Sequence, residues 1–240
     1  MGSLANHLMK LLNIRFRSPV LKVRPSGNGQ GPYQVDIGGP DPKSLVLDRV
    51  IFALLLPLVL PIFEEFPDHL KRLLQAVRYA PSLVCVMGLE RSYPQAAFIN
   101  STLRDEFQTI STIIFDDQKK SNRNPEDKSL ITVIVGEKAS RELLNAPEDS
   151  ITLEVKRELN ALFPGLDREI LFQKLFRWEY AAVQLQPGAL ARQSQTREAL
   201  KQAHPNLYFI SDGLYNSSIE VQMKVAVQAA EEIIATTQGS

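Results

Sequence analysis

At 240 residues with 44% hydrophobic side chains, the chain carries enough apolar material for a sizeable buried core and is not disordered by composition. Lysine plus arginine and aspartate plus glutamate both total 27, so there is no basic field to attract nucleic acid, and no nucleic-acid partner is expected. The single cysteine, Cys85, excludes an intrachain disulfide and a cysteine-based zinc site.

From the N-terminus, Leu4, Leu8, Leu11 and Leu12 recur at helical spacing, which predicts a structural helix. The segments IRFRSPVLKVRP, YQVDIGG and LVLDRVIFAL are β-branched and joined by the turn-rich SGNGQGP and PDPKS, so three strands of a β-meander are expected. Glycines at 27, 29 and 31 lack the spacing of a phosphate loop and have no helix behind them, which makes GNGQG a hairpin loop. The apolar run from Val50 to Phe63 is interrupted by Pro57 and Pro61 and falls short of the ~20 residues a spanning helix needs. It predicts a buried strand turning into a core helix, or a surface in peripheral contact with a membrane.

After Phe66, PDHLKRLLQAVRY predicts a helix and APSLVCVMGLERS a strand buried on both faces at its centre. Antiparallel pairing is expected among AAFINSTL, TISTIIFDD and SLITVIVGE, with an exposed loop from Gln118 to Lys128. Two helices follow: Ser140 is expected to open the first, and Pro147, Glu148 and Asp149 the second, which stops at Pro164-Gly165. EILFQKLFRWEYAAVQLQPG predicts a strand and QSQTREALKQAHP a helix. On the strand, Trp178 and Tyr180 lie two residues apart and share a face, as core or as a substrate-cavity wall. The chain closes on NLYFISDGLYNSSIEVQMKVAVQAAEEI, a strand, an Asp212-Gly213 break and a helix opening behind Ser217 and Ser218. The free N–H groups and positive dipole end of that helix suit an anion or a polar cofactor edge, and Asp212 can accept hydrogen bonds from hydroxyls.

His7, His69 and His204 are scattered and read as surface or capping residues rather than metal ligands, and no metal site is expected. No G-x-S-x-G elbow occurs, and the pairs Asp116-Asp117 and Glu148-Asp149 read as solvated acids or helix-start charges.

The closing segment resembles the last cofactor-contacting motif of the flavin-dependent amine oxidase, protoporphyrinogen oxidase and carotenoid desaturase superfamily. There a strand ends in Gly-Asp and the helix reads Ser-Met-Glu-Gly-Ala, then Ser-Gly, then Ala-Ala. Here Ser218, Ile219, Glu220, Ala229 and Ala230 match. Ser211 stands in place of the glycine, Val221 and Gln222 in place of Gly-Ala, and Val225 and Ala226 in place of Ser-Gly. SPVLKV places Val20 at the family's adenine-side Pro-Val pair, and DRVIFAL supplies Asp48, Val50, Ile51 and Ala53 of its Asp-x-Val-Ile-x-Ala strand. FRWEYAAV is similar to the Arg-Trp-x-Tyr-Ala segment of protoporphyrinogen oxidase-like members through Arg177, Trp178, Tyr180 and Ala181.

The resemblance implies an α+β or α/β fold. A mixed and antiparallel substrate-domain sheet with helices (66–187) would be joined to the meander (1–65) and the last strand and helix (188–240) of an FAD-binding domain. It further implies an FAD-dependent oxidoreductase that transfers hydride from a small apolar or amine substrate to flavin. Val20 would lie on the adenine side, Asp212 and Gly213 at the ribityl and phosphate, Ser218, Ile219 and Glu220 at the pyrimidine edge, and Trp178 and Tyr180 at the substrate. The G-x-G-x-x-G loop of the family's opening βαβ unit has no counterpart in this sequence. The chain is therefore expected to be a C-terminal portion that holds FAD weakly or not at all alone and needs an N-terminal FAD-binding half or partner chain. The alternative is a non-catalytic binding or assembly protein derived from the family. The expected location is the cytoplasm or a membrane surface.

Overall fold

A computed structural model of the chain describes residues 2–26, 31–63, 65–93, 97–103, 106–118, 124, 125 and 127–238. Most of the GNGQG loop and of the loop from Gln118 to Lys128 lies outside the described residues. In chain order the elements are α1 (Gly2–Met9), β1 (Val20–Pro25), β2 (Tyr33–Ile37), β3 (Lys43–Leu47), β4 (Val50–Phe52), α2 (Leu56–Val59), α3 (Asp68–Gln75) and β5 (Arg78–Leu89). They continue as β6 (Ile99–Ser101), β7 (Ile110–Phe115), β8 (Ser129–Val135), α4 (Glu137–Leu143), α5 (Glu148–Leu162), β9 (Ile170–Gln184), α6 (Ala189–Ala203), β10 (Leu207–Phe209) and α7 (Ile219–Gln238). The chain divides into two compact units, one of residues 1–78 with 185–240 and one of residues 79–184.

The first unit contains the meander β1-β2-β3, antiparallel throughout, and a separate parallel pair of β4 with β10. The segment LVLDRVIFAL, predicted as one strand, is therefore two. Its first half pairs with β2, and after Asp48-Arg49 its second half crosses to β10, with Val50, Ile51 and Phe52 opposite Leu207, Tyr208 and Phe209. The unit's core is aromatic: Phe63 packs against Phe66 with ring centroids 4.5 Å apart, and Phe52 stacks on Phe209 at 5.3 Å. Leu70 and Leu74 place α3 in this core, although the sequence reading grouped that helix with the antiparallel sheet. His204, expected at the surface or as a cap, stands at the C-cap of α6 with its ring buried edge-on to Phe63 and Phe66. Helix α1 ends at Met9, and Leu8, Leu11 and Leu12 are exposed, so the leucine periodicity at the N-terminus does not mark core.

The second unit is a five-stranded sheet in the order β6-β7-β8-β5-β9 with α4 and α5 on one face. Period-2 alternation explains it: Leu83, Cys85, Met87 and Leu89 of β5 and Ile131, Val133 and Val135 of β8 all point at Ile151, Val155 and Leu159 of α5. The opposite face is less covered. Val84 and Val86 are half-buried, which corrects the expectation of a strand sealed on both sides. Gly88 lies on that face because Phe172 of β9 occupies its side-chain space; a Cβ there would come 2.1 Å from the ring. Cys85 is fully buried, and desolvation, reinforced by the negative charge of Glu148, pushes its thiol up to about 11, so little thiolate exists at neutral pH.

Two sequence expectations fail here for identifiable reasons. Helix α4 opens at Glu137, not Ser140; the Ser140 hydroxyl is buried mid-helix, donating to the Val135 carbonyl and accepting from the Leu83 amide, both at 3.2 Å. Asp117 is not a solvated acid: its carboxylate accepts from the Ser129 hydroxyl at 2.6 Å and the Tyr93 amide at 3.4 Å. Helix α5 opens after Pro147 with Glu148 and Asp149 in its first turn, where negative charge meets the positive dipole end.

Candidate functional site

Ligands of parallel sheets bind outside the carboxyl ends of the strands, where chain segments diverge. The parallel pair here ends that way. After Phe52 the chain turns through Ala53, Leu54 and Leu55 into α2, and after Phe209 it runs through Ile210, Ser211 and Asp212 toward α7. An open depression of ≈ 390 Å³ lies at this end, lined by apolar Ala53, Leu54, Leu55, Leu58 and Ile210 and by polar Ser211, Asp212, Ser217 and Gln222.

The polar side is held in place from α6 and from within its own turn. Buried Gln193 donates to the Gly213 carbonyl at 3.1 Å, and Arg197 donates to the Leu214 carbonyl at 2.5 Å while stacking over Tyr215. The Leu214 and Tyr215 amides donate back to the Ser211 and Asp212 carbonyls, closing the turn. Burial raises the Tyr215 phenol above its ordinary value. Helix α7 is capped by its own chain: the Ser218 amide donates to Asn216 Oδ1 at 3.0 Å, and the Val221 amide donates to Ser218 Oγ at 3.2 Å. Capping of this kind leaves the amides of Ile219 and Glu220 as the first-turn donors open to a ligand.

Of the residues expected to touch a cofactor, Asp212 lines the depression, buried Gly213 forms the turn beside it, and Ser218, Ile219 and Glu220 form the exposed helix start. Val20 lies apart from the lining, in β1 opposite Ile37. Val221, flagged because a branched residue replaces a glycine, is half-buried and does not line the depression; Gln222 does. Sequence reasoning missed Leu54, Leu55 and Leu58, which it took for core or for a membrane-contacting surface, and Ser217 as a lining residue. It also missed Ser211 as a chemical group. The Ser211 hydroxyl oxygen is buried without a hydrogen-bond partner among the described residues, at a position where the motif carries a glycine. Its burial within the lining was not readable from a loop sequence.

Trp178 and Tyr180 lie on β9 in the second unit. Trp178 is 55% exposed, so it is not a core residue of the described fold. Tyr180 packs edge-on to Tyr79 with centroids 5.9 Å apart. A hydrogen bond to the Glu179 side chain, followed by desolvation and the Glu179 charge, holds its phenol above the ordinary range. Neighbouring Arg177 is structural, donating to the Leu144 and Ala146 carbonyls at 2.5 and 2.8 Å between α4 and α5.

The depression's chemistry fits part of a flavin nucleotide. An apolar wall can take one face of a planar ring, Asp212 and Ser217 can meet hydroxyls, and a buried hydroxyl awaits a partner. Among the described residues no cluster of His, Cys, Asp or Glu suits a metal, and no helix is long and apolar enough to cross a membrane.

Comparison with known proteins points the same way. The model of the family described as flavin containing amine oxidoreductase matches residues 1–234. No curated protein matches the sequence. Among solved structures, a candidate protoporphyrinogen oxidase from Exiguobacterium sp. 255-15 is 18% identical with a TM-score of 0.77, covering 97% of this chain and 50% of its own. A putrescine oxidase bound to putrescine is 12% identical with a TM-score of 0.73, covering 98% of this chain and 53% of its own. Cyclohexylamine oxidase from Brevibacterium oxydans IH-35A is 14% identical with a TM-score of 0.65, covering 90% and 48%. At these identities the likeness is one of fold, and the chain spans about half the length of each.

Proposed function

We propose, for a chain that belongs to the flavin containing amine oxidoreductase family, that it forms the substrate-facing sheet and the C-terminal cofactor-contacting part of an FAD-dependent oxidoreductase. The observation that carries this reading is the depression at the carboxyl ends of β4 and β10, where Asp212, Ser217 and Gln222 line the same space as Ala53, Leu54, Leu55 and Leu58. A flavin bound there would supply the hydride-accepting chemistry. The chain's own residues bind, orient and exclude water. Asp212 accepts hydrogen bonds from the ribityl hydroxyls, the first-turn amides of Ile219 and Glu220 meet the polar ring edge, and Ala53, Leu54, Leu55 and Leu58 keep water from one face. Val20 serves the adenine side. Trp178 and Tyr180 present the apolar or amine substrate. An N-terminal FAD-binding half completes the cradle, so this chain alone holds FAD weakly.

Titration of the purified chain with FAD, followed by quenching of flavin fluorescence, tests the site. Binding is expected to be weak and saturable. Asp212→Ala removes hydrogen bonds to a charged acceptor worth about 1.5–3 kcal/mol, so affinity should fall roughly 10- to 100-fold. Equal quenching by both proteins would remove Asp212 from the site.

A second reading, a non-catalytic binding or assembly protein, draws on one observation. Helix α7 is already capped by Ser218 and Asn216, which diminishes its capacity for an outside anion.

A further inference from the structure

A second depression, of ≈ 670 Å³, lies wholly within the second unit, where β7 begins opposite the end of β8 and Gly136 leads into α4. Its lining draws Thr102, Phe107, Ile110 and Ser111 from the chain around β7, and Glu137, Lys138 and Arg141 from α4. None of these residues belongs to the candidate flavin site, and the volume falls in the range of roughly 300–1,000 Å³ usual for small-molecule sites.

Most polar groups of the lining are already engaged by the fold. The Thr102 hydroxyl donates to the Ile110 carbonyl, and the Ser111 hydroxyl to the Ile134 carbonyl at 3.0 Å, so neither keeps a proton for a ligand. Glu137 Oε1 accepts from Arg141 Nε at 2.9 Å and from Gln184 Nε2 at 2.8 Å. Arg141 Nη2 donates to Gln184 Oε1 at 3.3 Å and to the Tyr79 carbonyl at 3.4 Å, which fixes the guanidinium and leaves Nη1 unused among the described residues. Lys138 makes no ion pair or hydrogen bond to a described residue. Lys138 and Arg141 are three residues apart on α4, a spacing that makes like charges neighbours. Glu137 offsets one of the two, so the lining keeps one positive charge and its N–H donors in surplus, with half-buried Phe107 in the same depression.

We propose that this depression binds a small organic monoanion, its carboxylate held by Lys138 Nζ and Arg141 Nη1 and its flat apolar body laid against Phe107. The charge count selects a carboxylate over a phosphate ester. One surplus cation balances a single negative charge, whereas a dianion would leave negative charge unbalanced beside Glu137. A neutral ligand of the same shape would leave Lys138 without a counter-ion. The site goes beyond the reading above and requires no flavin.

Isothermal titration calorimetry of the full chain with naphthoate, its neutral amide naphthamide, and naphthyl phosphate tests the site. Naphthoate is expected to bind one-to-one with a Kd below about 1 mM, and the other two at least about 5-fold more weakly. Lys138→Gln keeps the stem and removes the charge, so it should weaken naphthoate about 5- to 10-fold and leave naphthamide unchanged. Gly136→Leu should fill the depression and abolish binding. Gly136 has φ −60, which any residue adopts, and a Cβ there makes only ordinary contacts, 3.6 Å from the Thr109 carbonyl oxygen and 3.8 Å from Ser111 Cβ. If Gly136→Leu fails to fold, Lys138→Gln decides, since its exposed side chain carries no fold contact. No saturable naphthoate binding at about 10 mM, or equal affinity in the unaltered chain and Lys138→Gln, would overturn the proposal. Naphthamide or naphthyl phosphate binding as tightly as naphthoate would overturn the assignment of a carboxylate.

Discussion

Replacing Glu158 by alanine should lower the stability of the second unit by about 3–5 kcal/mol, the range for leaving several buried donors without their acceptor. Glu158 sits on α5, is 8% exposed, and aims its carboxylate at the start of β7. One oxygen accepts from the amides of Gln108 and Thr109 at 3.0 and 2.9 Å, and the other from Ile110 at 2.7 Å and Thr109 at 3.2 Å. Three consecutive backbone N–H groups thus depend on one side chain, which fixes where β7 begins and how the sheet seats on its helix. Glu158→Gln retains one acceptor but turns an amide NH2 toward backbone N–H groups, so it should recover only a fraction. Glu154, one turn earlier on the same helix, half-exposed and paired with exposed Arg157, is the control; its removal should have little effect because solvent-accessible ion pairs contribute little. Calorimetry should show a melting temperature roughly 12–20 °C lower for Glu158→Ala. A change as small as that of Glu154→Ala would mean that the three amides find other partners and that the clamp is not what seats the sheet.

Gly39→Ala should be the most damaging single-methyl change in the first unit. Gly39 has φ +97, a conformation L residues avoid, and its missing side chain is filled by backbone: a Cβ would lie 2.0 Å from the Arg17 carbonyl oxygen. The adjacent Gly38 amide donates to the Pro19 carbonyl at 2.8 Å, so the turn after β2 is stitched to the chain entering β1 and cannot slide away. Gly165 separates the two causes, because its φ is +88 but nothing lies within 4 Å of its Cβ position. Gly165→Ala should cost about 1 kcal/mol from backbone strain alone, and Gly39→Ala about 3 kcal/mol or more. Equal midpoints in urea denaturation for the two variants would refute the steric account.

The second unit was largely legible in the sequence. Strict alternation in SLITVIV and SLVCVMGL is produced by one face packing on α5, and Pro147 with two acids is a strong helix-start signal. The first unit was less so. Periodicity sees only near neighbours, and it cannot show that Val50–Phe52 leaves the meander, because its partner β10 is separated from it by the whole second unit. IRFRSPVLKVRP shortened to Val20–Pro25 because Arg17, at φ 55, breaks the extended chain ahead of Pro19. At the candidate site, Asp212 of the motif is among the residues that line the depression. The apolar half was hidden because Leu54, Leu55 and Leu58 sit in a hydrophobic run where lining and core residues look alike.

In the proposed site the carboxyl ends of β4 and β10, with the start of α7, face a flavin. Hydrogen–deuterium exchange of the chain with and without saturating FAD tests it most directly. Slowed exchange is expected in peptides covering residues 53–58 and 210–222, and is expected to be absent in Asp212→Ala. Unchanged exchange in both segments, with protection confined to the second unit, would contradict it.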